Sequence, residues 1–150
     1  MNPNLKEEPM EKYSKQREEI IEVLKEAYDH PTAEQIYERV RENKSTSSRG
    51  TVYRNLKNLV EKNIIIRISI PDAPDRYDYI REDHSHIICL ECKKVIDFEY
   101  NFKNETLKKL IKSQTEINPD MKTLTISGIC KNCQMANKKK EENKNGIKRI

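Results

Sequence analysis

Hydrophobic residues in the first half of the chain recur every three or four positions, a spacing that places them on one face of a helix. Three helices are predicted in this way, over residues 15–28, 33–42 and 49–62. Each follows a residue whose side-chain oxygen can accept from the exposed N–H groups of a first helical turn. These expected N-caps are Ser14, Thr32 and Ser48. Gln35 would complete a capping box with Thr32, and Asn63 would end the third helix.

β-Branched and partly alternating residues follow the third helix and predict two strands, over residues 64–70 and 76–80. Three helices followed by a two-stranded hairpin form the arrangement of a winged helix, whose third helix enters the major groove of DNA. Residues 14–80 are therefore predicted to be a winged-helix DNA-binding domain.

The pattern changes after residue 83 and predicts a small unit of mixed helix and sheet over residues 84–133. Its expected elements are strands over residues 86–90, 94–98 and 122–128 and a helix over residues 104–113. Leu107, Leu110 and Ile111 share one face of that helix and are predicted to be buried. The predicted fold class of the whole chain is therefore α+β.

The two ends of the chain are polar. Residues 1–13 carry two prolines and are predicted to be a flexible arm. Residues 134–150 are rich in lysine and nearly lack large hydrophobic residues, so a basic disordered tail is predicted there.

Composition and charge indicate where in the cell the protein is expected and which classes of partner it can have. A net charge of +4 over 150 residues permits a nucleic-acid partner without requiring one. No apolar run approaches the roughly 20 residues of a membrane helix, and the N-terminus lacks the apolar segment of a signal peptide. We therefore expect a cytoplasmic protein without a membrane partner, in which thiols stay reduced.

All four cysteines lie in two C-x-x-C pairs, Cys89 with Cys92 and Cys130 with Cys133. This spacing fits a closed tetrahedral site for a structural zinc ion. The alternatives are four thiols without a ligand, or a redox pair like that of thioredoxin. A redox pair is expected within a βαβ pattern, which this sequence lacks.

The third predicted helix carries basic and aromatic residues on its outer face. Arg49, Tyr53 and Lys57 recur at intervals of four, with Arg54 beside them. Such side chains reach phosphates and base edges of DNA. The alternative is an ordinary solvated helix face.

The three histidines, His30, His84 and His86, lie at loop or strand positions that allow them to converge with Asp78 and Asp97. Imidazole and carboxylate together form a nitrogen and oxygen donor set, which suits Fe²⁺ or Mn²⁺ better than the all-sulfur set does. Taken one by one, each of these residues is equally compatible with an ordinary surface position.

Three stretches, residues 29–37, 50–56 and 83–97, together with the two C-x-x-C pairs, resemble the ferric uptake regulator (Fur) family. The resemblance extends over residues 15–133. It implies a homodimeric, metal-dependent repressor of transcription, which is not an enzyme and which binds an inverted-repeat operator in double-stranded DNA. It also implies a hinge at residues 81–83 and a C-terminal dimerisation domain.

Within the family the chain is most similar to the peroxide-sensing PerR branch. Iron-uptake members commonly have a histidine-rich run before the first C-x-x-C pair and often have glutamate at the carboxylate positions, and this chain has neither feature. The resemblance implies two sets of metal ligands, and the third helix adds a set of expected DNA contacts. The zinc ligands would be Cys89, Cys92, Cys130 and Cys133. The regulatory Fe²⁺ or Mn²⁺ ligands would be His30, Asp78, His84, His86 and Asp97, with His30 and His84 sensitive to oxidation. The DNA contacts would be Arg49, Thr51, Tyr53, Arg54 and Lys57.

Three alternatives to this interpretation remain open. The chain could be an iron-uptake or manganese-uptake repressor that does not sense peroxide. It could be a thiol redox enzyme that uses its C-x-x-C pairs, or a zinc-stabilised interaction module that does not bind DNA.

Overall fold

The computed structural model describes residues 10–81, 84–98, 105–119 and 124–147. The chain divides into two compact units, residues 1–81 and 82–150. Both contain helices and a small sheet, which confirms the predicted α+β class. Residues 1–9 of the predicted arm and residues 82 and 83 of the predicted hinge lie outside the described residues. No helix within the described ranges is both long and apolar enough to span a bilayer.

The first unit has the winged-helix arrangement that its sequence predicts. Its elements are α1 (Met10–Glu26), α2 (Ala33–Glu42), α3 (Arg49–Glu61), β1 (Ile65–Ile68) and β2 (Arg76–Tyr79). The two strands are antiparallel, with Ile65 opposite Tyr79 and Ile68 opposite Arg76. The hairpin follows directly after α3, as the wing of such a domain does.

One apolar core holds the three helices and the first strand together. Its buried residues are Ile20, Val23, Leu24, Ile36, Val40, Val52, Leu56, Leu59 and Ile65. Burying a side chain of this size is worth about 1.5–3 kcal/mol relative to leaving it in water. The helix periodicity predicted most of these positions. The same periodicity did not predict Asn55, a polar residue of α3 that is also buried.

Two of the three predicted helix starts are confirmed. Thr32 Oγ1 accepts from the Gln35 N–H at 3.2 Å, and the Thr32 N–H donates to Gln35 Oε1 at 2.9 Å, which is the predicted capping box. Ser48 Oγ caps α3 by accepting from the Thr51 N–H at 3.2 Å. The predicted end of α3 is also confirmed, because Asn63 follows the C-cap with a φ of 54°.

The prediction that Ser14 caps α1 is wrong. The helix begins at Met10, so Ser14 lies inside it, and the last four residues of the predicted arm are helical. No proline or glycine occurs from Met10 to Glu26, so nothing in this segment interrupts a helix once it has begun after Pro9.

The second unit is built on a three-stranded sheet. Its elements are β3 (Ser85–Cys89), β4 (Val95–Phe98), α4 (Glu105–Thr115), β5 (Thr125–Gly128) and α5 (Lys131–Ile147). The central strand β3 pairs antiparallel with β4 and parallel with β5. In this register His86 lies opposite Asp97, and Cys89 lies opposite Gly128.

The predicted burial of the apolar face of α4 is wrong for the single chain. No residue of α4 is buried, and Leu110 is 51% exposed. Further apolar residues of this unit are also exposed, namely Leu90, Ile96, Ile117, Ile126, Ile129 and Met135. The apolar face of an amphipathic helix is buried only when another part of the protein packs against it. No element in the described part of the chain packs against this face of α4.

The prediction of a disordered tail from residue 134 is also wrong over most of its length, because α5 continues to Ile147. Lysine, glutamate, glutamine and alanine are good helix formers, and no proline follows Pro119. Side-chain contacts also fix the start of this helix. Gln134 Nε2 donates to the Ile129 carbonyl at 2.6 Å, and Asn137 Nδ2 donates to Glu91 Oε1 at 2.7 Å.

The capping box predicts a measurable contribution of Thr32 to stability. Thr32→Ala removes the acceptor for the Gln35 N–H and should lower the free energy of unfolding by about 1 kcal/mol. Urea unfolding of the full chain measures this change as a lower midpoint. Thr46→Ala, in the exposed loop before α3, is the control. Equal midpoints in the two variants would contradict the role of the cap.

Candidate metal centres and nucleic-acid interface

The four cysteines form one cluster in the second unit. Cys89 ends β3, and a tight turn follows in which the Lys93 N–H donates to the Cys89 carbonyl at 2.9 Å. This turn returns Cys92 towards the strand end, and Lys93 completes it with a φ of 60°. Cys130 immediately precedes α5, and Cys133 lies in its first turn. All four Sγ atoms lie within 4.8 Å of one another.

The spacing of the sulfur atoms fits a tetrahedral zinc ion. Cys89 Sγ lies 3.9 Å from Cys133 Sγ, and Cys92 Sγ lies 3.8 Å from Cys130 Sγ. Four ligands bound at about 2.3 Å in a tetrahedron are about 3.8 Å apart. A disulfide would bring two sulfur atoms to about 2.05 Å. The cluster therefore has the dimensions of a four-thiolate zinc site rather than of two redox-active disulfides.

The electrostatics of the cluster also favour a bound cation. The Cys130 N–H donates to Cys89 Sγ at 3.4 Å and lowers the pKa of that thiol to about 6. The hydrogen bond between Cys133 and Cys130, together with burial, raises the pKa of Cys133 to about 12. Four thiolates at this distance repel one another, so all four lose their protons only when a positive ion is bound between them.

The first unit contributes one histidine and one carboxylate that lie close together. His30 is in the loop between α1 and α2, and Asp78 is on β2. His30 Nε2 lies 3.7 Å from Asp78 Oδ2, and both side chains are buried.

The second unit contributes two histidines and one carboxylate. The pairing of β3 with β4 places Asp97 beside His84 and His86, so that Asp97 Oδ1 lies 3.5 Å from Nε2 of each. The two imidazole rings meet edge to face, with their centroids 4.6 Å apart. His86 is fully buried, whereas the Asp97 side chain is 43% exposed. Two imidazoles and a carboxylate are donors that suit Fe²⁺ or Mn²⁺.

The residues predicted to contact DNA differ in how accessible they are on α3. Tyr53, Arg54 and Lys57 are exposed. Arg49 lies against protein groups: its Nη2 is 2.7 Å from Glu34 Oε1, and its guanidinium is 5.2 Å from the Tyr37 ring centroid.

Thr51 is partly engaged within α3, because its hydroxyl lies 2.9 Å from Ser48 Oγ in the N-cap. The Arg49 side chain is itself 62% exposed despite its contacts with protein groups, so all of the predicted DNA-contacting residues except Thr51 are exposed on α3.

Sequence reasoning did not identify the residues that support the His30 loop. The Arg39 guanidinium hydrogen-bonds both carboxylate oxygens of Asp29, and this contact lowers the pKa of Asp29. Arg76 Nη1 donates to the His30 carbonyl at 3.3 Å. These arginines are far from residue 30 in sequence, and no periodic pattern connects them to the loop.

Comparisons of this sequence and fold with known proteins all indicate the same family. The family model described as the Ferric uptake regulator family matches residues 10–127. The peroxide-responsive repressor PerR of Staphylococcus aureus is 33% identical over 119 residues, which are 79% of this chain and 80% of that protein. The ferric uptake regulator Fur of Helicobacter pylori, whose structure reveals three functional metal binding sites, is 30% identical. It has a TM-score of 0.67, with 80% of each chain covered.

The fold of this chain is also that of the Campylobacter jejuni peroxide stress regulator. The two chains are 24% identical and have a TM-score of 0.67, with 81% of this chain and 91% of the other covered.

The cysteine cluster predicts that removal of one sulfur releases a tightly bound zinc ion. Cys89→Ser or Cys130→Ser should reduce the zinc content from one ion per chain to nearly none. The second unit should then unfold, because a structural zinc site contributes an apparent ~10–16 kcal/mol. Elemental analysis and circular dichroism measure the two effects. Ser127→Ala, on the neighbouring strand, is the control, and a Cys variant with native spectra would contradict the structural role.

Proposed function

Because this chain belongs to the ferric uptake regulator family, we propose that it represses transcription as a metal-dependent homodimer bound to inverted-repeat operator DNA. As a member of this family, it is a metal-responsive regulator and not an enzyme. The observation that carries the proposal is the separation of donor types. Four sulfur donors form one compact cluster, and nitrogen and oxygen donors occur in each of the two units.

The four cysteines would hold a structural Zn²⁺ ion in the second unit. The ion would link the end of β3 to the start of α5. These two parts of the chain are about 40 residues apart in sequence. A small unit with few buried apolar side chains gains most of its stability from such a link.

The five nitrogen and oxygen donors would bind one regulatory Fe²⁺ or Mn²⁺ ion. His30 and Asp78 would come from the first unit, and His84, His86 and Asp97 from the second. An ion that all five bind would favour one relative orientation of the two units over others, as a ligand favours one state of a two-state equilibrium. In a dimer, that orientation would set the distance between the two copies of α3.

A second copy of the chain is the proposed cover for the exposed apolar residues of the second unit. This many exposed apolar side chains on one small unit favour an interface, and most homo-oligomers are symmetric dimers. Two copies of α3 would then contact two half-sites separated by about one helical turn of DNA, or by a multiple of it, which requires an inverted-repeat operator.

Peroxide is the proposed signal, on the strength of the likeness to the peroxide-responsive repressor of S. aureus. Hydrogen peroxide would be the oxidant. One of its oxygen atoms would be added to an imidazole carbon of His30 or His84 and the other would leave as water, a transfer that Fe²⁺ held by these residues would promote. An oxidised imidazole is a poorer ligand, so the ion would leave, the two units would no longer hold one orientation, and the operator would be released.

The exposed middle of α3 generates a prediction for DNA binding. Tyr53→Ala should weaken operator binding by about 1–3 kcal/mol if the ring contacts a base edge. Lys57→Ala should weaken binding to operator and random DNA about equally and reduce the salt dependence, as loss of a phosphate contact does. Fluorescence anisotropy at several salt concentrations measures both.

Lys112→Ala, an equal change of charge in α4, is the control for these variants. Unchanged operator affinity in an Arg49, Tyr53 and Arg54 triple alanine variant would exclude α3 as the DNA-contacting helix. Such a result would favour an interaction module that does not bind DNA.

The donor set generates a prediction for peroxide. Treatment of the Fe²⁺ form should add one oxygen atom to a peptide that contains His30 or His84 and should release operator DNA. The Mn²⁺ form should repress equally well and resist peroxide. Mass spectrometry of the two forms measures the modification. Oxidation confined to the four cysteines, or loss of DNA without a modified histidine, would return the chain to a metal-uptake repressor.

A further inference from the structure

Three arginines hold the loop that carries His30 and the end of the helix before it. Arg39 of α2 binds the Asp29 carboxylate through both guanidinium Nη atoms. Arg76 of β2 donates to the His30 carbonyl. Arg81, two residues after β2, has its Nη2 within hydrogen-bond distance of the carbonyls of Leu24 and Lys25 in the last turn of α1 and of Ala27 just beyond it.

The loop needs such support because its backbone is strained. His30 has a φ of 49°, in the left-handed region that residues other than glycine adopt uncommonly, although histidine does so more often than most. A strained conformation of this kind persists only where the surrounding contacts determine it. On the C-terminal side the loop is already fixed, because the Tyr77 N–H donates to the Pro31 carbonyl at 3.0 Å and Thr32 caps α2.

On the N-terminal side, the Asp29 side chain is the contact nearest to His30. Its carboxylate and the planar Arg39 guanidinium form two parallel hydrogen bonds, which fix direction as well as distance. The side chains are 54% and 34% exposed, and an ion pair this accessible to water adds little to global stability. Its effect is therefore local, on the peptide group that joins Asp29 to His30.

We propose that Asp29 and Arg39 are positioning residues that set the affinity of the His30 site for its divalent cation without contacting the ion. This inference rests on the proposed role of His30 as a regulatory metal ligand. Groups that orient a metal ligand from outside the coordination sphere typically change metal affinity by 10-fold to 100-fold.

The sign of the effect separates positioning from plain electrostatics. Arg39 is a cation, so if it acted only through its charge, Arg39→Gln would strengthen the binding of a metal cation. Asp29→Asn would then weaken it. If the pair positions His30, both substitutions weaken binding, and the double variant is no weaker than either single variant. Arg39→Lys keeps the charge but loses the bidentate fork, so positioning predicts that it also weakens binding.

The test uses the full chain with zinc bound, and titrates it with Mn²⁺ while free Mn²⁺ is followed by electron paramagnetic resonance. We expect about tenfold weaker Mn²⁺ binding for Arg39→Gln, Asp29→Asn and Arg39→Lys. Arg41→Gln is the matched control, since Arg41 is two positions away on the same helix, exposed, and stacked on Tyr37 instead. It should bind Mn²⁺ as the unchanged chain does.

A second readout does not require the regulatory metal. In the zinc-only protein, the amide resonances of residues 28–31 should shift in Arg39→Gln and stay in place in Arg41→Gln, with equal unfolding midpoints. Suppose that His30→Ala weakens Mn²⁺ binding but Arg39→Gln leaves it unchanged or makes it tighter. That result would overturn the inference about Asp29 and Arg39 and leave the proposed regulatory site intact. Mn²⁺ binding that His30→Ala leaves unchanged would instead overturn the proposed regulatory site, and with it this inference.

Discussion

The register of the central strand β3 is the constraint on which both candidate metal centres of the second unit depend. Pairing with β4 sets His86 opposite Asp97, and pairing with β5 sets Cys89 opposite Gly128, two residues before Cys130. Side chains alternate along a strand, so a slip of one residue would turn every one of them to the other face. Such a slip would separate the imidazoles of His84 and His86 from the Asp97 carboxylate. It would at the same time separate Cys89 from Cys130 and Cys133.

A bound zinc ion would in turn fix this register. The sulfur atoms of one C-x-x-C pair belong to the turn after β3, and those of the other belong to the start of α5. Holding these four atoms about 3.8 Å apart leaves little freedom for β5 to move along β3. The structural ion and the histidine and aspartate donors are therefore connected through a single pair of strands, although they differ in donor chemistry.

Local features of the sequence predicted most of the first unit, because helix periodicity and caps involve residues that are close in sequence. The Thr32 capping box is an example, since every atom in it lies within four residues. The cysteine spacing likewise predicted one four-sulfur cluster. Features that depend on distant residues were not predictable in this way. Arg39 and Arg76 support a loop 10 and 46 residues away, and the stripe on α4 predicts an apolar face without identifying what covers it.

Left-handed backbone positions in this chain are occupied by residues other than glycine. The three glycines all lie within the described residues, and none of them has a positive φ. The positive-φ residues that the structure describes are His30, Lys44, Asn63, Asp72, Lys93 and Glu116. A chain with so few glycines has fewer conformations available when unfolded, so folding costs it less backbone entropy. The same choice stores local strain in its turns, which costs about 1–3 kcal/mol at each such residue and has to be offset by contacts elsewhere in the fold.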